Sequence, residues 1–149
     1  MRRELLVLSC LSHWACADSA QEDARAVFAQ VSGLVHEMHL TAFGGSFSLQ
    51  EYRDYRYTCV DGGFVQMDVI TSETISTVDL MHEFFACRLA DVTVSGTFDY
   101  LDASACDGGG FDITIVGELQ LTGVVDGSCP VAAIEDCGRV AGSVCGSTI

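Results

Sequence analysis

Apolar positions along the chain follow two different periods, and the change between them falls near residue 44. From Ala24 the residues Val27, Phe28, Val31, Leu34, Val35 and Met38 recur at helical spacing, while Glu22, Asp23, Arg25, Gln30 and Glu37 occupy the other face. The spacing predicts one amphipathic helix over about 20–40. Ser19-Ala20-Gln21-Glu22 has the form of a capping box that would start it. Its stripe is rich in alanine and valine and is followed by Gly44-Gly45-Ser46, so the helix is expected to pack loosely and to be dispensable for the rest.

From Tyr52 onward the period is two. Tyr55, Tyr57 and Cys59 alternate with Arg56 and Thr58, and Val65, Met67 and Val69 with Gln66 and Asp68. Val92, Val94, Gly96, Phe98 and Tyr100 alternate with Thr93, Ser95, Thr97 and Asp99; Phe111, Ile113, Ile115, Leu119 and Leu121 continue the pattern. Such alternation marks half-buried antiparallel strands. A last pair is expected at 129–134 and 139–145. Asp61-Gly62-Gly63, Asp107-Gly108-Gly109-Gly110 and Asp126-Gly127-Ser128 separate them with residues suited to tight hairpins. The fold class is therefore mainly β: six to eight antiparallel strands after one N-terminal helix, in a single sheet, a sandwich or a partly closed barrel. Cys59 to Phe64 is echoed by Cys106 to Phe111, and reuse of one Asp-Gly turn accounts for this better than duplication.

Composition adds a location. The 149 residues are 49% apolar with a single proline, which excludes a disordered chain. Arg2 and Arg3, an apolar run over 5–16 and Ala15-Cys16-Ala17 form the pattern of a signal peptide spanning residues 1–17. This divides the chain into 1–17, a helix and linker over 18–45, and a β domain over 46–149. Cys16, preceded by Ala15, is alternatively a lipid attachment point that would anchor the chain to a membrane, and no segment is long enough for a transmembrane span. The net charge of −14 becomes −15 without residues 1–17, which carry Arg2, Arg3 and Glu4. A surface this acidic excludes nucleic acid as a partner.

Beyond the leader stand six cysteines, an even set that reads as three disulfides in an extracytoplasmic protein. Cys59 and Cys87 end strands taken to be neighbours, Cys129 and Cys145 open and close the last hairpin, and Cys106 and Cys137 would pair across loops. No close C-x-x-C pair supports a zinc ribbon.

Residues 55–146 resemble a group of uncharacterised exported bacterial proteins, many of them lipoproteins. The resemblance rests on Thr58-Cys59-Val60-Asp61-Gly62-Gly63, on Cys87 leading into Val92 to Tyr100, on Gly117 to Gly123, on Gly127 to Val131 and on the closing Val140 to Gly146. Cys106 and Cys137 are additional to the commoner pattern. The resemblance implies export and brings no activity, cofactor or site.

Three constellations are candidates for chemistry. His36 and His39 could share a metal if His82 or an acid joined them, although a helix C-terminus favours histidine for its dipole alone. Asp61, Asp99, Asp102, Asp107 and Asp112 are oxygen ligands of the kind calcium takes, without the spacing of an EF-hand loop. Tyr52, Tyr55, Tyr57 and Phe64 would make a platform for sugar or peptide, or a stripe facing the core. No G-x-S-x-G elbow, free thiol or singled-out pair of acids points to catalysis. The sequence reads as a non-catalytic surface or structural binding module with no cofactor. A calcium-dependent or carbohydrate-binding module is the alternative.

Overall fold

A computed structural model describes residues 13–43, 52–71, 77–108 and 110–149. One helix, α1 (His13–Phe43), precedes eight strands: β1 (Tyr52–Thr58), β2 (Phe64–Thr71), β3 (Val78–Leu89), β4 (Val92–Ala105), β5 (Phe111–Gly123), β6 (Gly127–Asp136), β7 (Arg139–Val144) and β8 (Ser147–Thr148). Every strand pairs antiparallel with the next, so spatial order equals chain order. The result is a single open sheet with β1 and β8 at its edges. Of the expected arrangements this is the single antiparallel sheet: among the described residues no strand returns to pair with an earlier one, and the sheet is not closed into a barrel.

The alternation does what its period requires. Val65, Met67, Val69, Leu80, Phe84, Val94, Phe98, Ile115 and Leu119 point to one face and are buried, while Thr97, Glu118 and Gln120 point to the other and are exposed. The ladders set this register, with Val94 opposite Leu121 and Tyr100 opposite Ile115. Gly96 and Gly117 let β4 and β5 approach closely: Gly96 has φ 103°, and a Cβ there would run into the Glu118 carbonyl.

The helix closes the buried face, and here the structure corrects the sequence reading. Val31, Val35 and Met38 are 0% exposed, Ala24, Val27 and Leu34 are also buried, and all six belong to one hydrophobic cluster with the sheet. Alanine and valine do not loosen the contact, since small side chains let helix and sheet approach closely. Gln21 Nε2 also donates to the Thr148 carbonyl at 2.8 Å, tying the helix to β8. Helix α1 (His13–Phe43) is already formed ahead of Ser19, so Ser19 lies inside it rather than capping it. Residues 44–46, the expected break, lie outside the described residues.

All three expected disulfides are present: Cys59–Cys87, Cys106–Cys137 and Cys129–Cys145, with Cα separations of 5.6, 5.8 and 4.0 Å. The reason differs for the first. β1 and β3 are not neighbours; Cys59 sits in the β1–β2 turn and reaches past β2 to Cys87.

Candidate functional site

The C-terminal half of α1 crosses the inner face of the sheet beside β3 and β4, and two histidines meet there. His82 projects inward from β3 and His39 inward from α1, with Nε2 atoms 2.9 Å apart; His82 Nδ1 lies 2.5 Å from the Phe98 carbonyl. A carbonyl only accepts, so His82 carries its proton on Nδ1. Its Nε2 then accepts from the Nε2–H of His39. The His82 main-chain N–H donates to Asp99 Oδ1 at 2.9 Å, fixing β3 against β4 beneath the pair. Tyr100 stands edge-on to both imidazoles, with ring centroids 5.8 and 5.5 Å away.

Burial keeps both rings neutral. Desolvation first, and the His36 imidazole second, lower the His39 pKa to about 4. Desolvation first, then His39, lower His82 to about 3 against the opposing Phe98 carbonyl. Both folded values lie below the unfolded value near 6.5, so the unfolded chain binds more protons as pH falls below 6.5 and the native state loses stability. The loss comes to about 1.6 kcal/mol for each histidine between pH 6.5 and 5. Urea midpoints at pH 7 and pH 5 should therefore differ clearly. Equal midpoints would mean that the histidines are not buried as neutral groups.

Beside this pair, a cavity of about 570 Å³ opens between α1 and the ends of β4, β5 and β6. Ala29, Leu40 and Phe43 from the helix and Phe111 and Ile113 from β5 supply its apolar wall. Gly33 leaves one side open, for a Cβ built there meets nothing within 4 Å. His36, His39, Tyr100 and Glu135 bring polar atoms to the same space. Glu135 lies on the inward-pointing row of β6 with Val131 and Ala133, where every other described position from 129 is buried, so desolvation raises its pKa. Burial likewise pushes the Tyr100 hydroxyl up, with the Glu135 charge adding to it.

The other candidates separate. His36 is exposed on the rim of the cavity while His39 is turned into the core, and among the described residues no three His, Cys, Asp or Glu side chains gather as metal ligands. Asp107 and Asp112 share a shallow hollow beside Cys106–Cys137, whereas Asp61 lies in the β1–β2 turn at the opposite end of the strands. Asp99 and Asp102 serve the backbone: Asp99 accepts from His82, and Asp102, with φ 53°, donates its N–H to Asp79 Oδ1 at 2.8 Å. Tyr55 and Tyr57 pack against the core, and Phe64 lies on the opposite face, stacked 4.6 Å from Phe85 under Arg56. No platform joins them. The side chain of Tyr52 lies outside the described residues.

Sequence reasoning missed this cavity. Its walls come from residues 29–43, 100, 110–113 and 135, which only the folded sheet brings together. The period-two pattern did hold one signal, since Glu135 and His82 are polar residues on rows that otherwise point inward. No protein-family model matches the chain, and neither does any curated protein or solved structure.

Proposed function

We propose that the protein is an exported, non-catalytic binding module that takes a small, largely apolar ligand between α1 and the sheet. The observation that carries this reading is the cavity of about 570 Å³, within the range of small-molecule sites and walled by apolar side chains with a few convergent polar groups. Three disulfides accord with an oxidising compartment, and the signal-like residues 1–17 and the resemblance of residues 55–146 to exported proteins support export. Among the described residues no helix is long and apolar enough to cross a membrane. Removal of the leader at Ala17, or lipidation at Cys16, would leave in place Ala24, Val27, Val31, Leu34, Val35 and Met38, the apolar helix side chains buried against the sheet among the described residues.

Gly33 supplies the test. It is exposed and faces open space, so Gly33→Leu should fill the cavity without disturbing the core, and loss of a helix-interior glycine favours the helix by up to about 1 kcal/mol. A screen of small apolar fragments by ligand-observed NMR should give binders whose affinity drops at least tenfold in Gly33→Leu, with an unchanged circular-dichroism spectrum. Binders that Gly33→Leu does not affect, or a screen without binders, would overturn the proposal.

A further inference from the structure

Resting on the pocket reading above, we infer that the ligand is a hydrophobic cation: an apolar body against Phe43, Phe111 and Ile113, and an ammonium group on the Glu135 carboxylate beside the Tyr100 hydroxyl. Both polar groups face the cavity, and among the described residues neither has a hydrogen-bond partner. Tyr100 is only 7% exposed, and no buried side-chain polar atom lacks a partner, so its hydroxyl is accessible through the cavity. A carboxylate in an apolar wall is costly until a donor meets it, and a charged donor offsets that cost most fully. Nearby His36 does not remove the imbalance, since desolvation of Glu135 outweighs it and the carboxyl remains above its ordinary range.

The rest of the molecule favours the same sign. The chain carries a net charge of −14, with no lysine, and among the described residues no arginine lines the cavity. An anionic amphiphile would approach against this field and place its head beside a carboxylate, whereas a cation is drawn in. A neutral alcohol could satisfy one lone pair and would leave the charge itself uncompensated. The Tyr100 hydroxyl can accept a second N–H of the ammonium, or donate to Glu135 and hold its oxygens toward the head.

Octylammonium, 1-octanol and octanoate share one tail and differ in head charge, so calorimetric titration of the oxidised full-length mature protein at pH 8 isolates the head. Above the histidine titration range, Glu135 is the charge that decides. Octylammonium should bind about tenfold or more tighter than octanol, and octanoate weakest, as expected for a hydrogen bond between charged partners. Glu135→Gln should erase the preference for octylammonium over octanol, and Tyr100→Phe should weaken octylammonium more than octanol. Octanol or octanoate binding as tightly as octylammonium, or a preference that survives Glu135→Gln, would overturn the inference and leave the pocket reading standing. Failure of all three to bind would overturn both.

Discussion

A chain lacking the helix, beginning at residue 44, will show no cooperative unfolding transition. Among the described residues the helix contributes six buried apolar side chains to the core, and Leu80, Phe84, Phe98, Ile115 and Leu119 on the sheet are each at most 1% exposed in the same cluster. Burying a side chain of this size stabilises by roughly 1.5–3 kcal/mol, somewhat less for alanine, so the helix side of the contact alone amounts to about 10 kcal/mol. That is of the order of a whole domain's stability. An open sheet without its helix also presents an apolar face to water, which favours association over folding. Urea titration followed by circular dichroism checks this. A sigmoidal transition in the truncated chain would show that the sheet folds alone. Val31→Asp reaches the same point with one atom group, because it places an unpaired carboxylate at a position with no exposure.

The second large effect concerns the disulfides. Their sequence separations of 28, 31 and 16 residues correspond, in the chain-entropy account, to about 3–4 kcal/mol each. Loop length alone would make Cys106–Cys137 the most stabilising. Burial reverses that order: Cys59 and Cys87 are sealed in the core, whereas Cys137 is exposed and Cys106 half-buried. Replacing Cys59 and Cys87 by alanine removes the constraint and leaves a void as well, so this pair should cost more than the corresponding change at Cys106 and Cys137. Urea unfolding of the two double variants decides it, and the opposite ranking would show that the void is repacked. Accessibility gives the same order for chemistry, with Cys106–Cys137 reduced first by a mild thiol. Full reduction removes about 10 kcal/mol in this account and should unfold the protein.

The hairpins were legible because two signals coincide in them. Each inward row reads apolar at every second position, and Asp-Gly turns at 61–63 and 107–110 mark where the chain reverses. Cysteine pairing followed from that layout, even though the neighbour relation assumed for Cys59 and Cys87 was wrong. β3 was less visible because His82 interrupts its inward row, and two-residue β8 offers no period to detect. Helix docking was misjudged for a different reason. The stripe of Ala24, Val27, Val31 and Val35 looks weak as a list of residues, but strength comes from the complementary surface, which runs from Cys59 to Val144 in sequence. The helix start was misplaced because a capping-box pattern stops nothing when the preceding residues also continue the helix. Nonlocality hides the cavity most completely, since its polar members are spread over α1, β4 and β6.

Because the strands lie in the order in which they are synthesised, the cysteines emerge in the order 59, 87, 106, 129, 137, 145. Pairing each new thiol with the last one still unpaired would make Cys59–Cys87 correctly. The same rule would then join Cys106 to Cys129, which β5 separates in the sheet, since the native bonds Cys106–Cys137 and Cys129–Cys145 interlace. The first half of the sheet can thus be locked as it appears, while the second half reaches its native bonds either by waiting with free thiols until β6 and β7 have formed or by thiol–disulfide exchange. Maturation of this molecule therefore has an early half and a late half, and the boundary between them falls within β4.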